Sequence, residues 1–190
     1  MFKMDWSNTL KTDGITRLAA EIVSTSNNCA KEVLGSLAPL QENEMNRVWY
    51  ALLCEFLFGY LHITARLASS LFGQTNKTTL LLGPLGPLVA KIHVETYLGH
   101  WPPERRQRIQ AEFLNHLSEA QRDYSSCRNV VAEGNLSSRD AVIWRLAFNV
   151  ARIISNSDEV TDAMLPAAIA TNGLTNMNLR LLLKEADNGS

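Results

Sequence analysis

Residues 48–72 read VWYALLCEFLFGYLHITARLASSLF, a stretch that is apolar almost all round. The run is broken only at Glu55, Gly59, His62, Arg66 and Ser69/Ser70. At 100° per residue Glu55, Gly59, His62, Arg66 and Ser69 fall within a sector of roughly 80°. A helix that is greasy over the rest of its circumference must be enclosed by other elements. Its length would also cross a bilayer. Glu55, His62 and Arg66 argue against that, because charge near a bilayer centre is costly. The stretch reads as the core helix of a soluble protein, and the other elements must be arranged around it.

Residues 140–155 repeat the plan. Arg145, Asn149 and Arg152 lie within roughly 60° of one another, and the flanking positions are Val142, Ile143, Trp144, Leu146, Phe148, Val150, Ile153 and Ile154. Two such helices are natural central partners. If their polar lines face each other, Glu55 can pair with Arg145 or Arg152, and His62 can bond Asn149. Such a network is viable when every member is satisfied. If the lines face outward they are narrow solvent strips, and a third arrangement opens them onto a ligand cavity. Gly59 favours the enclosed arrangements, since glycine weakens a helix by ~1 kcal/mol relative to alanine and is best explained by a close approach.

The rest of the chain shows helical spacing and no sustained alternation or hairpin signal. A first helix is expected to start after Asp13-Gly14 and run to about Leu37, with a weak point or break at Ser24–Asn28, because those side chains compete for backbone hydrogen bonds. The apolar helix should start near Glu42 and stop at Gly73. A third element from Asn76 or Thr78 should be interrupted by GPLGP at 83–87 and resume at Pro87. A fourth runs from Pro103 to about Cys127, with Ile109, Phe113, Leu117, Ala120 and Tyr124 as its stripe. A loop with Gly134 follows, and Ser137 opens an SSRD capping signature. A short helix from Ser157 or Asp158 should kink at Pro166, turn at Asn172-Gly173 and give way to a last helix capped by Thr175. Residues 1–156 thus form a bundle domain, and 157–190 a helical appendage that packs on the bundle or on a partner subunit.

The four histidines and the acidic residues were weighed for metal chemistry. Glu112 and His116, four apart, are the best pair for one ion, with Glu119 and Asp123 on the same edge. No Glu-x-x-His pair of the di-iron type occurs, and Arg66 would repel a cation from His62. No cofactor is expected. No GxSxG elbow is present, and Cys54 reads as packing. GPLGP offers too few amides to cradle a phosphate. Arg105, Arg106 and Arg108 beside Trp101 form a small basic patch, but a net charge of −1 argues against nucleic acid. Three widely spaced cysteines, Cys29, Cys54 and Cys127, fit a reducing compartment better than a disulfide framework. The N-terminal MFKMDWSNTLKTDG has no apolar run of signal length.

The fold class is therefore all-α, an irregular bundle of about six to seven helices with 48–72 and 140–155 central. A charged content of 19% is low enough to suggest that some surface is covered by a partner. Trp49, Tyr97, Trp101, Trp144 and the ridge Leu179–Leu183 are candidate anchors. The functional expectation is a non-enzymatic cytoplasmic interaction or regulatory module, binding a protein or itself as a homodimer, with no membrane role. The alternative is a small-ligand or metal-binding protein, conceivably an enzyme, with a polar pocket around Glu55, His62 and Arg66. The candidate site residues are Glu55, His62, Arg66, Arg145, Asn149 and Arg152.

Overall fold

The computed structural model describes residues 14–74, 76–131 and 140–188. Among these the chain is all-α: α1 (Gly14–Gly35), α2 (Glu42–Phe72), α3 (Asn76–Leu98), α4 (Pro103–Ser125), α5 (Val142–Ser155), α6 (Val160–Met177) and α7 (Leu179–Asn188). They form an irregular bundle. The apolar helix α2 is its hub, touching α1, α3, α4, α5 and α7. Leu52, Leu53, Phe56, Leu57 and Tyr60 are wholly withdrawn from solvent, as the near-continuous apolar circumference requires. α5 lies between α2 and α6 and buries Val142, Leu146, Ala147, Val150 and Ala151 completely. α1 shares the centre, packing on α2, α3, α6 and α7.

Four local expectations are corrected. The Ser24–Asn28 run does not break α1. Thr25, Ser26 and Asn27 are buried, and Asn27 Oδ1 accepts a hydrogen bond from Trp49 Nε1 at 3.2 Å. Tertiary packing thus turns those side chains away from the backbone they would otherwise compete with.

GPLGP does not interrupt α3, which runs through both Pro84 and Pro87. Both prolines are exposed. The carbonyls of residues 80 and 83, which lose their donors, lie beneath them on the wet side, where water can take the place of the missing N–H groups.

Nor is Asn172-Gly173 a turn, because α6 continues through it, as it does through Pro166. A β-carbon on Gly173 would lie 2.3 Å from Tyr60 Oη and 2.7 Å from Cys29 Sγ. The glycine is there for a three-helix contact, and the chain turns instead at Asn178, a left-handed residue with φ of 48°. Thr175 therefore lies inside α6 rather than capping α7.

Finally, α5 starts at Val142 with Ala141 as its N-cap. Asp140 stays outside the helix, where its carbonyl accepts from the amides of Arg128 and Asn129 at 2.7 and 3.2 Å. Ser137 and the Gly134 loop lie outside the described residues. The polar-capped start suggested by SSRD is replaced by an extended pairing of Asn129 with Ala141.

α6 and α7 bury Ala163, Ile169, Ala170, Leu179, Leu182 and Leu183, against α5 and α1. Most of the Leu179–Leu183 ridge is thus consumed internally, and Leu181 alone of its leucines faces out.

Candidate functional site

The polar lines of α2 and α5 meet, and the last turn of α4 joins them. Asn149 Nδ2 donates to Glu55 Oε1 at 2.8 Å. Tyr124 Oη donates to the same oxygen at 2.5 Å. Asn149 Nδ2 also reaches Asp123 Oδ2 at 3.4 Å, and Asp123 Oδ1 accepts from Arg145 Nη1 at 2.8 Å. At the outer end, Arg152 donates to Asn149 Oδ1 at 3.4 Å and to Asp158 Oδ1 at 2.6 Å. The pairs expected from spacing are therefore exchanged. Neither Arg145 nor Arg152 bonds Glu55, because nearer carboxylates, Asp123 and Asp158, take them.

Burial pushes the Glu55 carboxyl above the ordinary glutamate range. The donors Tyr124 and Asn149 pull it down, Asp123 pushes it up again, and Arg152 lowers it slightly. Burial also holds the Tyr124 phenol well above its usual value, and the facing Glu55 adds to that. The two groups stabilise each other as neutral donor and acceptor more readily than as a pair of anions.

His62 does not reach Asn149. Its Nε2 accepts from Arg66 Nε at 2.9 Å, one turn along the same helix. Its ring lies 5.6 Å from that of Tyr124. Burial and the adjacent guanidinium lower its pKa to about 4. Arg66 also donates to backbone carbonyls: Arg128 at 3.2 Å, Tyr124 at 3.5 Å, and Cys127. It thus caps the C-terminal end of α4, where a cation complements the exposed carbonyls and the helix dipole.

Asp123 and Tyr124 are the network members that sequence reasoning missed. By spacing Tyr124 belongs to the apolar stripe of α4, and Asp123 to the edge it shares with Glu112, His116 and Glu119. The one available signal was their position in the last turn of a helix whose end needs a partner.

A second buried polar cluster also escaped the sequence. His93 is wholly enclosed. Its Nδ1 bonds Val89 O at 3.0 Å, and its Nε2 lies 3.4 Å from Tyr50 Oη. These partners assign the tautomer: Nδ1 carries the hydrogen and Nε2 accepts. Burial lowers this histidine to about 4, against a small upward pull from the Val89 carbonyl. Nearby, burial pushes the Cys54 thiol up to about 12. Cys29 Sγ sits 3.2 Å from Tyr60 Oη, which donates to Ala170 O at 2.9 Å. Burial likewise raises the Cys29 thiol. These thiols are packing groups with little thiolate character.

The metal candidates do not come together. Glu112 pairs with Arg108 at 3.5 Å and His116 with Glu119 at 3.3 Å, all on the exposed face of α4. Among the described residues no three His, Cys, Asp or Glu side chains converge on one point. The basic patch is also spoken for in part, since the Arg105 guanidinium stacks 3.5 Å over Trp101. Two adjoining surface grooves, of about 480 and 530 Å³, are lined by Arg66 but not by Glu55 or His62. The six candidate residues therefore divide. Glu55, Arg145, Asn149 and Arg152 belong to one helix-joining network, and Arg66 links His62 and the end of α4 to the molecular surface.

Fold and site together define an all-α bundle whose central helices are tied by an internally satisfied polar network. Comparison of the chain with protein-family models, curated proteins and solved structures finds no match.

Proposed function

We propose that this protein is a non-enzymatic helical interaction or regulatory module, soluble and cytoplasmic, which associates with a partner protein or with a second copy of itself. The observation that carries this reading is the commitment of the central polar groups to one another. Glu55 is held by Tyr124 and Asn149, Arg145 by Asp123 and Arg152 by Asp158. A general acid or base must be aimed at a reacting group, and these are aimed at neighbouring helices.

The outside of α6 supports the same reading. Val160, Met164 and Leu165 are 38%, 57% and 49% exposed, an apolar surface of the kind that partners cover. Buried free thiols at Cys29 and Cys127 suit a reducing compartment.

Light scattering of the purified chain, beside a Met164→Asp/Leu165→Asp variant, tests the reading. Twice the chain mass for the wild type and a folded monomer for the variant support a homodimer through α6. A monomeric wild type, with no partner protein lost from pull-downs when the variant replaces it, overturns the interaction reading.

A further inference from the structure

The two grooves lined by Arg66 lie beside the network rather than within it, and their chemistry is uniform. The floor of the larger-walled one is Ile63, Leu67, Val130, Leu174 and Leu179, between α2 and the α6–α7 junction. Its neighbour adds Ser69, Gln74 and Asn129, and the two share Arg66 and Val130. Arg180 lines the first and Arg128 the second. Among the described residues no aspartate or glutamate lines either one.

Some arginines of this surface are ion-paired and others are not. Arg17, Arg108, Arg145 and Arg152 all have carboxylate partners within 4.0 Å. Arg128 and Arg180 are exposed, and neither has an ion-pair partner among the described residues. The first groove also opens at the start of α7, a ten-residue helix beginning at Leu179. The positive end of that helix meets the negative end of α6, whose Leu174 and Thr175 line the same groove, so the positive field there comes from the arginines.

We propose that this double groove binds a small amphipathic anion: a carboxylate or phosphate head carried on a short aliphatic chain. The first groove alone, at about 480 Å³, falls in the range of small-molecule sites, which are mostly apolar with a few placed polar groups. Arg180 and Arg128 sit on separate parts of the groove with apolar floor between them. That suits one charged head and one tail better than the row of cations an acidic peptide would need. Arg66 places all but one of its N–H donors on His62 and on carbonyls, so its main contribution is positive charge. Bidentate recognition of the head, which suits a guanidinium, falls to Arg180 or Arg128. The site is separate from the α6 face of the interaction reading, and ligand binding and molecular mass are read independently.

Titration calorimetry with sodium decanoate tests it, with decyl phosphate, decanol, inorganic phosphate and an oligoglutamate peptide as companion probes. Saturable binding of decanoate or decyl phosphate at one per chain is expected, and the stronger of the two identifies the head group. Arg128→Glu/Arg180→Glu should weaken it by about tenfold or more, with the circular dichroism spectrum and Tm unchanged. Leu67→Glu, which places a negative charge on the half-buried floor, should weaken it as well. The proposal is overturned by absence of saturable binding to millimolar concentration, by equal affinity in the double arginine variant, by equal binding of decanol, or by binding of inorganic phosphate or oligoglutamate without either amphiphile.

Discussion

Asn149 donates to Glu55 across 2.8 Å and so ties two central helices of the bundle, α2 and α5, at a single polar point. The same carboxylate oxygen accepts from Tyr124, which brings the end of α4 into the joint. Three helices are thereby held in register by one acceptor, in surroundings where apolar contacts alone would leave their relative sliding weakly determined. Each member of such a joint is costly to remove, because its partners stay behind without water.

Glu55→Ala should therefore lower stability by roughly 1–3 kcal/mol, the cost of leaving the buried Tyr124 hydroxyl without an acceptor and the Asn149 amide with only its longer bond to Asp123. Glu55→Gln retains a carbonyl acceptor and should lose about 1 kcal/mol or less. Urea denaturation of the three proteins measures this. Equal stability of wild type and Glu55→Ala would show that the joint contributes nothing. The pH dependence has a definite sign. Burial raises the carboxyl above its ordinary value near 4.5, so the folded state favours the protonated form. The contribution of Glu55 is fully present below that ordinary value and is lost as pH rises through the higher, folded one. The stability of wild type relative to Glu55→Gln should accordingly fall across that interval.

His93 should act in the opposite sense. Its folded value near 4 lies below the ordinary 6.5, so the unfolded chain takes up the proton first. Stability from the neutral ring is complete above 6.5 and is lost as pH falls towards 4, by up to about 3 kcal/mol. Replacing His93 by glutamine should flatten this part of the stability profile. In NMR titration of the wild type, the His93 ring signals should stay those of the Nδ1–H tautomer at pH 6. A midpoint near the ordinary histidine value would overturn the assignment.

Gly173 and Gly59 give a paired test of packing. At Gly173 a β-carbon would collide with Tyr60 Oη and Cys29 Sγ, groups pinned to each other and to Ala170 O. Gly173→Ala should cost roughly 1–3 kcal/mol, as overpacking does. At Gly59 the nearest atom, 2.8 Å away, is the tip of Leu146. That side chain can shift, and alanine gains ~1 kcal/mol of helix propensity. Gly59→Ala should stay within about 1 kcal/mol of wild type. A reversed order in thermal or chemical denaturation would remove the three-helix contact as the reason for Gly173.

Pro84 and Pro87 lie on the exposed side of a continuous helix. Pro84→Ala restores an N–H to the ladder and should stabilise the protein by roughly 1–3 kcal/mol. Amide exchange in α3 should slow at the same time. Loss of stability on this substitution would mean that the proline ring itself supports the packing of α3.

Much of the skeleton was legible in the sequence. The bounds of α2, from Glu42 to the stop at Gly73, follow from the apolar run and the glycine, whose φ is 72°. The polar stripes of α2 and α5 were readable because helical spacing places Glu55 with His62, and Arg145 with Asn149, on one side of each rod. The third party to their meeting was not readable. Nothing local to Asp123 or Tyr124 distinguishes a residue that closes a network from one that faces solvent or fills a core. The continuity of α3 and α6 was hidden for a related reason. Proline and glycine weaken an isolated helix by local terms of a few kcal/mol, while the contacts that override those terms come from residues far along the chain.

The sequence by itself determined that this chain is a helical bundle built around an enclosed α2, because periodicity and apolar content act within one turn or two and need no partner to be defined. Only the tertiary structure decided which polar groups meet. Glu55 could have met an arginine and instead meets Asn149 and Tyr124, because pairing depends on where three separately formed helices come to rest, and the nearest carboxylate or amide takes each donor first.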